Sequence, residues 1–158
     1  MRDSLKKGFG FGLTSGIITT LGLIVGLNSS THSQLVVLGG ILTIAIADAF
    51  SDALGMHIST EYENKTSDKG VWEATGATFI SKLLFALSFA VPVLLLPLST
   101  AVIVSIVWGL SLIILISHLI AKQVKKPTYS VAFEHLAIAV IVIIATNIVG
   151  NWIAAYFG

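Results

Sequence analysis

The chain has 158 residues, of which 55% are hydrophobic and only 11% are charged, and its mean hydropathy is +0.94. About a quarter of the residues of a water-soluble domain are charged, so this composition excludes such a domain and predicts an integral membrane protein. The net charge of +1 and the short basic runs of mixed sign argue against nucleic-acid binding, and the absence of cysteine excludes disulfides and thiolate metal sites.

Five apolar windows have about the 20 residues that a helix needs to cross the hydrocarbon core of a bilayer. They cover residues 9–27, 35–57, 76–96, 101–121 and 131–157. The windows use most of the chain, so the sequence predicts one all-α domain over residues 1–158, with five transmembrane helices in the lipid bilayer. Because the first window has the length of a span, we expect no cleavable signal peptide.

The positions of the basic residues predict the orientation of the helices. With five spans, every Lys and Arg outside the windows falls on the side that holds the N-terminus and the loops after the second and fourth spans. Lys82, just inside the third window, can reach the same surface by snorkelling. Positive residues mark the cytoplasmic side, so we expect the N-terminus inside and the C-terminus outside. For so short a chain, a prokaryotic cytoplasmic membrane is the expected location.

The first window combines glycines with hydroxyl side chains. The pairs Gly12/Gly16 and Gly22/Gly26 have the spacing that lets two membrane helices approach closely. The hydroxyls of its cytoplasmic half belong to Thr14, Ser15 and Thr19, among others. They fit two interpretations, either helix packing with hydroxyls bonded back to the chain or a wall that faces an acidic neighbour.

The second window carries aspartates in a membrane-type run. As a helix it places Asp48, Asp52, Met56, Ser59 and Glu63 within one sector of about 100°. A carboxylate in hydrocarbon is costly and faces a bundle interior, a water-filled cavity or an ion. The pattern therefore predicts a cation route, and the alternative is a structural contact with Lys82 or with a hydroxyl of the first span.

The link between the second and third windows is short and rich in charge. Glu61, Glu63, Asp68 and Glu73 predict an acidic mouth that concentrates cations, although a solvated loop of mixed charge fits the pattern equally well. We expect the second helix to continue by a turn, the chain to bend at residues 67–70, and the third span to begin after Trp72. Lys82 is a candidate counter-ion that occupies Asp52 when no metal is bound.

The last window begins near Glu134 at the inner surface and carries Asn147 and Asn151 one turn apart in its outer half. For the asparagines, hydrogen bonds between helices are favoured over ligand binding. The chain contains no HExxH motif, no nucleophile elbow and no phosphate loop. We therefore expect neither an enzyme nor a permanently bound cofactor.

Four segments resemble the vacuolar iron transporter family. GLTSGIITTLGLIVGL is similar to its opening helix, ADAFSDALGMHISTE to its second helix, ATFISKLLFALSFAVPVLLLPL to its third, and FEHLAIAVIVIIATNIVG to its last. The resemblance implies a homodimer that exchanges divalent cations, ferrous iron and sometimes manganese, for protons between the two copies of helices one and two. The long glutamate-rich cytoplasmic insert of some members is missing.

The departures from the family pattern fall on the residues that would handle the ion. Ser15 stands at the family's acidic position in helix one, Asp52 at its methionine and Met56 at its glutamate, while Asp48 is additional. The resemblance and the acidic stripe together predict a transport path along Asp48, Asp52, Met56, Ser15, Thr14, Thr19 and Ser59. The predicted metal ligands are Asp48, Asp52, Met56, Glu61, Glu63 and Glu73. Protonation of a buried aspartate would release the metal. A non-transporting membrane scaffold and a transporter for calcium or protons remain alternatives.

Overall fold

A computed structural model describes residues 2–63 and 66–158, with only the backbone described at Gln123. These residues form the helices α1 (Asp3–Thr31), α2 (Gln34–Tyr62), α3 (Asp68–Ser88), α4 (Ala90–Leu95), α5 (Leu98–Val124) and α6 (Thr128–Phe157). Five segments, with α3 and α4 counted together, are long and apolar enough to cross a membrane. The predicted all-α architecture with five candidate spans is thus confirmed.

The helices extend beyond the apolar windows at both ends. α1 begins at Asp3 rather than at residue 9, and α2 continues to Tyr62, as predicted for the second helix. The prediction of a bend at residues 67–70 was wrong, because α3 already begins at Asp68. Ser67 causes the early start, since its hydroxyl accepts a hydrogen bond from the Gly70 amide at 3.3 Å and so caps the helix.

The third predicted span is interrupted between α3 and α4. Pro92 has no backbone N–H, so the carbonyl group of Ser88 loses its usual partner four residues later. The amide of Phe89 bonds to the carbonyl oxygen of Ala86 at 3.2 Å, which tightens the last turn of α3. The Ser88 hydroxyl accepts a hydrogen bond of 3.2 Å from the Trp108 indole, which ties this break to α5.

α1 lies at the centre of the bundle and packs closely against two helices through its glycines. A Cβ atom added at Gly12 would lie 3.0 Å from Thr78 Cα, and one at Gly16 would lie 3.0 Å from the Lys82 carbonyl oxygen, both on α3. A Cβ atom at Gly22 would lie 2.8 Å from Val142 Cγ1 on α6. The predicted close approach at the glycine pairs is confirmed, and the two pairs serve different neighbours.

These contacts also fix the directions of the helices. Successive glycines of α1 meet successive residues of α3 and of α6, so the three helices run parallel. α2 runs the other way, because Gly40 packs against Leu23 and Leu27 while Glu63 pairs with Lys7. The starts of α1, α3 and α6 therefore share one end of the bundle, which we call the basic end. Its described cations are Arg2, Lys6, Lys7, Lys69, Lys122, Lys125 and Lys126.

Candidate ion site between helices α1, α2 and α3

Lys82 of α3 joins two carboxylates inside the bundle. Its side chain is 1% exposed, and its ammonium group donates a hydrogen bond to Asp52 Oδ2 and a second one, of 2.8 Å, to Ser15 Oγ. The same nitrogen lies 2.5 Å from Asp48 Oδ2. We call Asp48, Lys82 and Asp52 the aspartate–lysine cluster. Local sequence could place each residue on its helix, but only the packing of α3 against α1 and α2 brings the three together.

The prediction that Lys82 snorkels to the surface was wrong. Three oxygen atoms from α1 and α2 surround its ammonium group, so the charge is paired within the bundle and the chain has no need to reach water. The snorkelling expectation considered only the depth of the residue in its own helix. The contact with Asp52 agrees with the placement expected of a counter-ion, while the role of Lys82 in transport stays a prediction.

The two aspartates differ in how they meet the lysine. Asp52 accepts a hydrogen bond from the Lys82 ammonium group. Oδ2 of Asp48 is buried and accepts no hydrogen bond, so its contact with the ammonium group is an ion pair without a hydrogen bond. The side chains of Asp48 and Asp52 are 26% and 19% exposed on the single chain. Both carboxylates therefore reach the outer side of α2 while their inner oxygens face Lys82.

The charges of the cluster do not cancel. Two carboxylates and one ammonium group leave one negative charge at a depth where ionised groups are costly. A charge of this kind calls for a further positive partner, which can be a proton, an ion or a group from another chain. The arrangement can therefore attract one more cation to the outer side of α2.

The predicted hydroxyl wall of α1 contributes one member to the cluster. Ser15 accepts a hydrogen bond from Lys82, whereas the Thr19 hydroxyl donates to the backbone oxygen of Ser15 at 2.9 Å. Thr14 is partly buried, and among the described residues it makes no hydrogen bond to the cluster. Ser15 thus fits the second interpretation of this helix, and Thr19 fits the first.

Met56 and Ser59 lie toward the basic end from Asp52. Met56 is 6% exposed, and its sulfur accepts a hydrogen bond of 3.4 Å from Thr60, which is itself buried. Ser59 is exposed on the outer side of α2. The structure therefore places the thioether in the interior one turn from the cluster and leaves Ser59 outside it.

The glutamates at the basic end are paired with cations of α1. Glu73 contacts Arg2 and accepts a hydrogen bond of 3.0 Å from Ser4, and Glu63 contacts Lys7. These ion pairs border a cavity of about 610 Å³ between the ends of α1, α2 and α3. Arg2 and Lys7 thus offset the charges of Glu73 and Glu63 at this cavity, while the acidic character of the whole mouth stays a prediction. The prediction had counted the link alone and had not placed the start of α1 beside it.

The predicted metal ligands fall in separate places. Asp48 and Asp52 share Lys82, Glu63 and Glu73 pair with α1, and Glu61 lines a different cavity with His57 and Asp68. Within residues 2–63 and 66–158, no three His, Asp or Glu side chains lie close enough together to hold a metal ion. A metal held by the Oδ2 atoms of both aspartates would need to take the place of Lys82, which contacts these atoms.

α6 contributes polar contacts away from the cluster. The Asn147 side chain donates to Ser29 Oγ of α1 at 2.8 Å, which confirms the predicted hydrogen bond between helices. Glu134 is exposed. His135 lies 2.8 Å from the Ser117 hydroxyl of α5, a contact for which the sequence pattern gave no signal.

Comparisons of the chain with family models, with curated proteins and with solved structures found no match. The geometry of the aspartate–lysine cluster is therefore the main basis for a functional proposal.

Proposed function

We propose that the chain is a membrane transporter of a divalent transition-metal cation of the iron or manganese class, and that the cation replaces Lys82 at Asp48 and Asp52. The observation that carries this proposal is the pair of carboxylates that share one buried ammonium group within helices long enough to span a bilayer. Ionisable residues in such helices mark ion pathways. The resemblance of four segments to the vacuolar iron transporter family supports the choice of metal.

Charge balance favours a divalent ion once the lysine has withdrawn. The two carboxylates then present two negative charges, which one divalent cation neutralises, and Ser15 Oγ becomes available as a further oxygen ligand. Oxygen ligands suit hard or borderline metals, and a thioether such as Met56, one turn away, favours a softer ion such as ferrous iron. Lys82 would return when the metal leaves, so the site is never left with two unbalanced charges.

We also propose that a second copy of the chain covers the outer side of α1 and α2. The partly exposed carboxylates of Asp48 and Asp52 cannot face lipid tails without a large cost. A groove of about 570 Å³ runs between α1 and α6 and begins at Thr19, one turn beyond Ser15; Gly22, Ile44 of α2 and Thr146 of α6 are among its lining residues. A homodimer would enclose this groove. We propose that the basic end, with the N-terminus, faces the cytoplasm of a prokaryotic cell; the concentration of Lys and Arg at that end supports this orientation.

Flux measurements with purified protein in liposomes test the proposal. A metal-sensitive dye inside the vesicles reports the uptake of Fe²⁺ or Mn²⁺. Asp48→Asn and Asp52→Asn should each abolish most of the uptake, because each removes half of the negative charge that faces the ion. Glu134→Gln is the matched control, since it neutralises an exposed carboxylate of α6. Uptake at the wild-type rate in both aspartate variants would remove the cluster from the mechanism. The same vesicles, loaded with calcium or pH dyes, test the alternative ions.

A second candidate is a membrane scaffold in which the cluster holds α1, α2 and α3 together. The observation in its favour is that Ser15, Asp48 and Asp52 together engage the whole ammonium group of Lys82. The triple variant Asp48→Asn, Asp52→Asn, Lys82→Met separates the two functions. If the chain is a scaffold, the wild type should transport no metal and the triple variant should remain folded and assembled. If the chain is a transporter, the wild type should transport metal and the triple variant should not.

A further inference from the structure

Two adjoining cavities lie between α2 and α3, on the face of α2 opposite to the one that carries Asp48 and Asp52. The first, of about 440 Å³, is lined mainly by apolar and aromatic side chains, including Phe50, Leu54 and Phe79. The second, of about 270 Å³, is lined by polar groups that include Glu61 and Asp68. His57 and Trp72 line both cavities, so together they form one groove with an apolar and an acidic part.

The two parts lie at different depths. Glu61 follows Phe50 by eleven residues on α2, which corresponds to about 16 Å along the helix axis. The acidic part is thus at the basic end of the bundle. The aromatic part lies deeper, where the tilted rings of Phe50 and Phe79 pack with centroids 4.7 Å apart. Trp72, at the junction, is 67% exposed, as is typical of a tryptophan at the membrane surface. This layout matches the headgroup and upper chain of a lipid.

The hydrogen bonds of His57 define what the polar part can recognise. The Thr75 hydroxyl donates its single proton to the Val71 carbonyl oxygen at 2.8 Å. The contact of 3.1 Å between His57 Nδ1 and that hydroxyl oxygen therefore requires that Nδ1 donate. Nε2 of the neutral ring is then a hydrogen-bond acceptor. With the carboxylates of Glu61 and Asp68 and the indole of Trp72, the groove is lined by acceptors and an aromatic ring, which suit an ammonium group.

We propose that this groove binds an amine-headed phospholipid of the phosphatidylethanolamine type. Its primary ammonium group would donate hydrogen bonds to His57 Nε2 and to the carboxylates of Glu61 and Asp68, and an acyl chain would lie against Phe50 and Phe79. A choline headgroup carries the same charge but has no N–H donor. The anionic headgroup of phosphatidylglycerol would be repelled by the two carboxylates, which carry charge of the same sign. The groove therefore selects the primary amine.

Lipid retention by the full-length protein tests this site. The protein is equilibrated in nanodiscs with equal amounts of phosphatidylethanolamine, phosphatidylcholine and phosphatidylglycerol of identical chains, and the lipids that remain bound after transfer to detergent are counted by native mass spectrometry. We expect phosphatidylethanolamine to be retained about tenfold over phosphatidylcholine, as for hydrogen bonds to a charged group. Equal retention of these two lipids would overturn the proposal.

Variants assign the preference to the groove. Glu61→Gln with Asp68→Asn, and separately His57→Phe, should abolish the preference, while Glu134→Gln should keep it. The double variant changes only exposed side chains, so it stays informative if His57→Phe does not fold. A second measurement uses the variant Trp108→Phe, Trp152→Phe, in which Trp72 is the remaining tryptophan. Phosphatidylethanolamine with brominated chains should quench the fluorescence of Trp72 more strongly than brominated phosphatidylcholine does. A preference that survives the double variant, or equal quenching, would show that this groove is not an amine-lipid site.

Discussion

Replacement of Lys82 by methionine tests the charge balance of the aspartate–lysine cluster. The substitution keeps most of the side-chain volume and removes the ammonium group that lies 2.5 Å from Asp48 and bonds to Asp52. Two carboxylates are then left beside each other with no positive partner. We therefore expect Lys82→Met to destabilise the protein through electrostatics and not through packing.

The structure sets the size of this effect. The loss of one partner from a buried ion pair costs about 3–5 kcal/mol. The aspartate side chains are 26% and 19% exposed, so water or a neighbour can screen part of the repulsion. This places the expected loss at the lower end, about 3 kcal/mol. In the triple variant with Asp48→Asn and Asp52→Asn no charge is stranded, and most of that loss should be recovered.

Unfolding in detergent micelles, followed by tryptophan fluorescence, measures these free energies. The same assay with Mn²⁺ tests displacement directly, because a metal that binds only the folded protein at 100 times its dissociation constant adds about 2.7 kcal/mol. Mn²⁺ should stabilise Lys82→Met more than the wild type, since the variant offers the ion an unoccupied pair of carboxylates. Equal stabilities of the wild type and Lys82→Met, or equal effects of Mn²⁺ on both, would refute the reasoning.

Two further predictions concern the packing of α1. Gly12→Ala should lower the free energy of unfolding by about 1–3 kcal/mol, because its new methyl group meets the backbone of Thr78. A methyl group at Gly10 meets no atom within 4 Å, so the control Gly10→Ala should leave the stability unchanged or raise it. Equal effects of the two variants in the same assay would contradict the close α1–α3 contact. Asn147→Ala and Ser29→Ala should each lower the free energy of unfolding by about 1 kcal/mol. The double variant should lose less than the sum of the two, because the side chains share one hydrogen bond. Strict additivity in a double-mutant cycle would show that the bond is absent.

The features that depend on short stretches of sequence could be predicted. The five candidate spans follow from local hydropathy, and the glycine pairs of α1 follow from a spacing of four residues. The start of α3 was missed, although Ser67 supplies a capping signal, because residues 67–70 were assigned to a bend before the third span. The hydrogen-bond pattern of a cap is thus a better guide to a helix boundary than the polarity of the surrounding residues.

The partners of charged side chains could not be predicted in the same way. Ser15 and Lys82 are 67 residues apart, and Arg2 and Glu73 are 71 residues apart. Such contacts depend on which helices are neighbours, and hydropathy carries no information about that order. The acidic stripe of α2 was visible in the sequence, and Lys82 was named there as a candidate partner, but the simultaneous contact of its ammonium group with Asp48, Asp52 and Ser15 depends on how α3 packs against α1 and α2.

The contacts of α1 also indicate which parts of the bundle can shift against each other. Gly12 and Gly16 bring the backbone of α1 against that of α3, so these two helices interlock and should travel as one rigid body. At the level of the cluster α2 buries the small side chains of Ala45, Ala49 and Ala53, whereas Val37, Ile41 and Met56 are buried nearer its ends. A movement that separates the aspartates from Lys82 would therefore be a sliding of α2 along α1 and α3. Lys82 would stay in place with α3, and both carboxylates would move with α2.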